Sequence, residues 1–133
     1  MLKVNKKVEY ALIALKHMSG KKDGELTTAR ELCENFNLPF DPLSKVMQAL
    51  NSSGIVTSSK GVKGGYILAK DLATITYMEL STIIEGKTAG HHCGENDESC
   101  ERKDCCIIKK SMALLNSGLT DHLQKITLKD LLL

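Results

Sequence analysis

The sequence predicts a mainly α-helical chain with one β-hairpin and a long helix near its C-terminal end. Three patterns carry that prediction. Apolar residues recur at three- and four-residue spacing in several separate stretches, as helices with one buried face require. A single pair of β-rich runs flanks a glycine-rich turn between Ile55 and Ala69. A stretch from about Asp104 to Gln124 repeats its apolar residues almost as a heptad.

At 133 residues the chain is sized for one domain, or one small domain with an appendage. Its hydrophobic content of 42% suffices for one core, built on Leu, Ile, Val, Met and Ala because there is no Trp, three Tyr and two Phe. No apolar run approaches the ~20 residues needed to cross a bilayer. Met1-Leu2-Lys3-Val4-Asn5-Lys6-Lys7 lacks the apolar centre of a secretory signal. A cytoplasmic protein without a membrane partner is expected. Charge is unevenly spread. Residues 1–70 hold eleven Lys/Arg against six Asp/Glu, a balance of +5, whereas residues 71–133 hold seven against ten, a balance of −3. A basic first half is consistent with a polyanionic partner and equally with a solvated surface.

The first helix is expected from about Asn5 to Ser19, with Val8, Ala11, Leu12, Leu15 and Met18 as its buried stripe. Gly20-Lys21-Lys22-Asp23-Gly24 ends it as a turn. Thr27 or Thr28 caps a second helix, and Glu31, three residues after Thr28, completes a capping-box pattern. Ala29, Leu32, Cys33 and Phe36 point inward; Cys33, without a cysteine near it in sequence, reads as a buried small residue. Asn37-Leu38-Pro39-Phe40 is a tight turn. A third helix follows with Asp41 as cap and Pro42 at its first position. It buries Leu43, Val46, Met47 and Leu50, turns Ser44, Lys45 and Gln48 outward, and stops at Asn51-Ser52-Ser53-Gly54.

Two short helices joined by a four-residue turn make a helix-turn-helix pattern, which many helix pairs share. The next segment narrows the reading. Ile55–Ser59 and Tyr66–Ala69 are β-rich and Lys60-Gly61-Val62-Lys63-Gly64-Gly65 between them is glycine-rich and basic. A hairpin with a cationic tip in this place is the wing of a winged helix-turn-helix. Lys60 and Lys63 can reach phosphates or a narrow minor groove, and Gly64 and Gly65 let backbone come close to DNA. The plainer alternative is a solvated hairpin whose lysines discourage edge pairing. The glycine pair is not a nucleotide loop, because no Gly-x-x-x-x-Gly-Lys-Ser/Thr pattern is present.

A fourth helix is expected over Ile75–Glu85, capped by Thr76, with Leu80, Ile83 and Ile84 apolar. Gly86 ends it. Next comes a polar, acidic segment, His91 to Cys106, that holds four of the five cysteines. Unliganded cysteines are usually buried as small hydrophobes, so their concentration here points to metal or redox chemistry. Soft thiolates suit iron–sulfur clusters and zinc. The spread spacing Cys93-x6-Cys100-x5-Cys106 fits a cluster better than zinc, which favours close Cys-x2–4-Cys pairs. The long helix carries Ile108, Met112, Leu115, Leu119, His122 and Ile126, a seam for a second copy or for its own domain. Asn116-Ser117-Gly118 could interrupt it. Thr127–Leu133 reads as a short docked helix. No nucleophile–base arrangement or phosphate loop is visible, so no enzyme is expected.

Val8-Glu9-Tyr10-Ala11-Leu12, the run Met47 to Val56, the wing Lys60 to Leu68, the cysteine loop and the closing Ile126-Thr127-Leu128-Lys129-Asp130-Leu131 together resemble the Rrf-two family of bacterial transcription regulators over essentially the whole chain. The resemblance implies a homodimer that binds double-stranded operator DNA of two-fold symmetry. It implies a DNA-binding domain over residues 1–86, with Ser44, Lys45, Gln48, Lys60, Lys63, Gly64, Gly65 and Tyr66 at the DNA. Residues 87–133 would then hold the ligand loop, the dimerisation helix and the tail. Family members with a 2Fe–2S or 4Fe–4S cluster carry three cysteines before the long helix. Alignment on Thr127-Leu128-Lys129-Asp130-Leu131 assigns these to Cys93, Cys100 and Cys106 and leaves Cys105 as an extra thiol. The histidine ligand of the iron–sulfur biogenesis type is Lys109 here, and a protonated lysine does not ligate. The nitric-oxide sensor type uses an acidic residue on the first helix of the other subunit, which corresponds to Glu9; His91, His92 and Cys105 are the alternatives. A zinc- or thiol-based regulator of the same fold, and an electron-transfer or cluster-carrier protein, are the other function classes the sequence leaves open.

Overall fold

The computed structural model describes residues 4–60, 64–86, 101–102 and 105–133. Chain order is α1 (Lys6–Ser19), α2 (Ala29–Phe36), α3 (Phe40–Ser52), β1 (Val56–Ser59), β2 (Gly65–Leu68), a 3-10 turn (Leu72–Thr74), α4 (Tyr77–Glu85), α5 (Lys109–Leu123) and α6 (Leu128–Leu132). It is the mainly α winged helix-turn-helix that the sequence predicts.

Local chemistry explains most helix starts. Asn5 caps α1 by accepting from the Lys7 N–H at 2.8 Å. Thr28 caps α2, accepting from the Glu31 N–H at 3.0 Å. Thr76 and Glu79 form a full capping box on α4. Thr127 and Asp130 form another on α6, and the Thr127 hydroxyl and N–H hold the Asp130 carboxyl below its ordinary range. At α2 the Glu31 carboxylate is shared: beside the Thr28 backbone it takes His17 and Lys21 as partners.

Several features differ from expectation. α3 begins at Phe40 after Pro39, without a side-chain cap, so Asp41 and Pro42 lie inside its first turn. Proline is tolerated there because the first N–H groups of a helix have no partner within it. α5 starts at Lys109 rather than near Asp104, because a turn closed by Cys105 N–H to the Arg102 carbonyl (3.1 Å) precedes it and Ile108 supplies no cap. Its 15 residues span about 22 Å, against about 30 Å for a helix from Asp104 to Gln124, and Asn116-Ser117-Gly118 does not interrupt it. Phe36 is exposed rather than inward, with its ring edge against the His17 imidazole, centroids 5.3 Å apart.

One core joins the elements. α1 packs on α3 and α4. Val8, Ala11, Ala14, Leu15 and Met18 of α1 share that core with Leu43, Val46, Met47 and Leu50 of α3, Ile55 and Val56 before and in β1, and Leu80 of α4. The tail returns to it. Tyr77 N–H donates to the Ile126 carbonyl at 2.9 Å and Leu128 N–H to the Ile75 carbonyl at 2.8 Å. The Lys16 ammonium donates to the Leu132 carbonyl. Leu128 is fully buried. By contrast α5 buries none of its residues. Leu114 is 76% exposed and Leu115 54%, with Ile107 at 97% just before the helix.

Replacing Leu128 with Ala should therefore lower the unfolding free energy by about 2–5 kcal/mol in a urea titration. Lys129→Ala, on the exposed side of the same turn, should change it by less than about 0.5 kcal/mol. Equal stabilities of the two variants would contradict docking of the tail.

Candidate nucleic-acid interface and sensor segment

The helix-turn-helix is α2, the turn Asn37-Leu38-Pro39, and α3. Asn37 makes the turn possible by taking the left-handed conformation (φ 53°), where asparagine is among the tolerated residues. α3 sets its four core residues on one side, which leaves Lys45 and Gln48 exposed and Ser44 half-buried on the other. Gly54 (φ +79°) then reverses the chain into the wing.

The wing is tied to α3 and is not a free hairpin. Ile55 N–H donates to the Leu50 carbonyl at 3.1 Å, and Ser58 N–H to the Asn51 side chain at 3.1 Å. β1 and β2 are antiparallel, with Val56 opposite Leu68 and Ser59 opposite Gly65. An isolated antiparallel bridge, not read from the sequence, joins the hairpin to the α1–α2 loop: Thr27 and Tyr66 exchange both backbone hydrogen bonds, at 2.9 and 2.8 Å. This contact accounts for Gly65, where a Cβ would stand 3.0 Å from the Thr27 carbonyl oxygen and 3.2 Å from the Leu26 Cβ. Gly65 thus admits protein backbone. Tyr66 is half-buried against the core. Lys60 is exposed at the open end of the hairpin and Gly64 is half-buried beside β2. Lys63 lies outside the described residues.

A charged joint locks α1, α2 and the loop between them. Glu31 Oε1 receives Lys21 Nζ at 2.6 Å and His17 Nε2 at 2.8 Å, and Lys21 also donates to the Leu26 carbonyl at 2.9 Å. Partial burial pushes the Glu31 carboxyl up, but hydrogen bonds from Lys21 and His17 outweigh it and hold the group below its ordinary value.

Of the candidate ligand residues, Cys106 is half-buried and Cys105 exposed, just before α5. Cys93, Cys100, His91 and His92 lie outside the described residues. Glu9 sits on α1 with its Oε2 accepting from Lys6 Nζ at 3.0 Å, and both side chains are open to solvent. Lys109 is the exposed first residue of α5. Cys33 is half-buried; burial, then the nearby Glu34 carboxylate, raises its pKa and keeps it a thiol. Among the described residues, no three His, Cys, Asp or Glu side chains group closely enough to hold a metal, and no helix is long and apolar enough to cross a membrane.

A helix-turn-helix with a wing fixed to its second helix, on the basic half of the chain, defines a winged-helix DNA-binding transcription regulator. The family model described as "Rrf2: Iron-dependent Transcriptional regulator" matches residues 4–133, and the chain belongs to the Rrf2 family. It is 31% identical over 127 residues to an HTH-type transcriptional regulator of Aquifex aeolicus, covering 94% of this chain and 88% of that one. It is 24% identical over 130 residues to the HTH-type transcriptional regulator IscR of Escherichia coli K12, covering 98% of this chain and 80% of that one. The fold matches that of CymR, the global cysteine regulator of Bacillus subtilis, with a TM-score of 0.73, 24% identity and coverage of 99% and 97%. These relatives are regulators, not enzymes.

Two outcomes follow from the geometry. Gly65→Ala should destabilise the fold by about 1–3 kcal/mol, the cost of overpacking against backbone, measured by thermal or urea unfolding; an unchanged midpoint would contradict the close approach. Because the Glu31 carboxyl titrates lower in the folded chain, its stabilisation is present above the ordinary value of 4.5 and fades as pH falls through the lower folded value. Glu31→Gln should thus cost about 1 kcal/mol at pH 7, with the gap to wild type closing below pH 4.5. A gap that did not narrow as pH falls below 4.5 would contradict this.

Proposed function

We propose that this protein is a cytoplasmic homodimer whose affinity for a two-fold-symmetric operator is set by an iron–sulfur cluster held by Cys93, Cys100 and Cys106, with the partner subunit's Glu9 as fourth ligand. The observation that carries the reading is a three-cysteine segment placed directly before α5 in a chain that matches an iron-dependent regulator family along its length. The donor set fits the group: three soft thiolates suit iron in a cluster, and a carboxylate leaves the remaining position less firmly held. When bound, a cluster of this kind supplies a labile redox-active corner open to oxygen or nitric oxide.

The chain's own residues do the rest. Glu9 meets the Lys6 ammonium through Oε2 alone, so its carboxylate can serve as a ligand by sharing that exposed pair or breaking it, and breaking it costs little. Glu9 stands on α1, which packs directly on α3, so a pull on Glu9 bears on the helix that carries Ser44, Lys45 and Gln48. The exposed apolar side of α5 calls for a partner. Ser111, Leu114, Leu115, Gly118 and Leu119 line an open groove there, and Gly118 leaves room for a second helix to come close. In the dimer two copies of α3 and of the wing face one duplex, with Lys45 and Lys60 on phosphates and Gln48 on base edges. The exposed Cys105 beside Cys106 favours a second reading, a thiol switch on the same fold.

Anaerobically purified protein should contain iron and acid-labile sulfide. Cys93→Ala, Cys100→Ala and Cys106→Ala should each lose the sulfide, Cys105→Ala should keep it, and Glu9→Ala should lose its iron faster. Zinc without sulfide would overturn the cluster. Sulfide-free protein whose duplex binding follows thiol oxidation would favour the second reading. Lys45→Ala and Lys60→Ala should each flatten the plot of log affinity against log salt by about 0.9 for every phosphate that the lysine neutralises; unchanged slopes would remove those lysines from the interface.

A further inference from the structure

The exposed large apolar side chains fall into groups. Ile107, Ile108, Leu114, Leu115 and Leu119 belong to α5 and its approach, and Val4, Leu131 and Leu133 lie near the ends of the chain. Phe36 has the His17 ring against it. Phe40 belongs to none of these. It is 56% exposed, outside the core cluster, and is the first residue of α3. An exposed aromatic ring at that place needs an explanation from what it meets.

The first turn of α3 is unusual in two further ways. Pro39 gives it no side-chain cap, and Asp41 puts an exposed carboxylate beside Phe40. Among the described residues no hydrogen bond or ion pair holds that carboxylate. A helix N-terminus commonly receives a phosphate, but a carboxylate in the first turn repels one. What suits a phenyl ring and a carboxylate together is the floor of the major groove, where thymine offers a methyl group and cytosine an amino donor. Helix-turn-helix proteins read base edges with the N-terminal residues of the second helix. Helical spacing places Phe40, Ser44 and Gln48 along one line of α3 at four-residue intervals.

We propose that Phe40 is a specificity-determining residue, whose ring packs on the C5-methyl of a thymine in each operator half-site. The inference rests on α3 being the helix that enters the major groove. Phe40 then selects by shape and apolar contact, while the lysines supply affinity without sequence preference.

The test starts from a random duplex pool selected with the full-length wild-type protein and, separately, with Phe40→Ala. Wild type should return a thymine at a fixed half-site position that Phe40→Ala no longer requires. Deoxyuridine at that position removes only the methyl group. It should weaken wild-type binding about fourfold per half-site, the effect of exposing one buried methyl-sized group, and leave Phe40→Ala unaffected. An equal thermal midpoint for the two proteins establishes that the exposed side chain is not needed for folding. If deoxyuridine weakens both proteins equally, or neither at any half-site thymine, Phe40 does not read a methyl group. If wild type enriches no duplex at all, the reading of α3 falls with it.

Discussion

Val8, Ala11, Leu15 and Met18 on α1 lie in one solvent-free seam with Leu43, Met47 and Leu50 on α3, and the pose of α3 depends on that seam. Interiors packed this densely move as units and resist continuous deformation. The seam has Glu9 on the outer side of one helix and Ser44, Lys45 and Gln48 on the outer side of the other. A force applied to α1 therefore reaches the proposed DNA surface without a long relay. The coupling required is small: a tenfold change in affinity needs about 1.4 kcal/mol of difference between two states.

Around this seam the fold spends hydrogen bonds on fixing its attachments. Leu50 and Asn51 fasten the start of the wing to the end of α3. Thr27 pairs with Tyr66 and fastens the other strand to the α1–α2 loop. Glu31 gathers His17 and Lys21 and closes that loop on α2. Ile75 and Tyr77 pair with the tail, and Leu128 fills the core beneath them. α5 is joined to this body at its end, where Leu123 packs on the core, and leaves Leu114, Leu115 and Leu119 exposed. The protein thus combines a tightly bound helical body with one helix whose exposed apolar side is the proposed dimer face.

Features set by neighbours in sequence were legible. The caps Thr28 and Thr76, the stop at Gly54 and the wing's β-rich strands all follow from short-range chemistry, and the core stripes of α1 and α3 follow from periodicity. Features set by distant contacts were not. The Glu31 carboxylate gains His17, fourteen residues away, and Lys21 as partners that its capping-box position does not announce. Gly65 looked like an opening toward DNA, whereas its missing Cβ makes room for Thr27. Pro42 marked the first turn of α3 but not its first residue, since proline is harmless at several positions there. Phe36, which periodicity assigns to the inner side of α2, is exposed, as is Phe40 across the turn. For the proposed cluster site, cysteine density in a polar segment suggested thiolate donors. The choice of Cys106 over Cys105, and of Glu9, came from family resemblance.

The central claim is that the state of the cysteine segment controls the hold on DNA. It is tested most directly by titrating one selected two-fold duplex, at fixed salt and without oxygen, with the protein as purified and with the same preparation after removal of its iron and sulfide. Cys106→Ala serves as a third sample. At least a tenfold difference between the first two, with Cys106→Ala behaving as the stripped protein, is the predicted result. Equal affinity of all three samples for the duplex would contradict it.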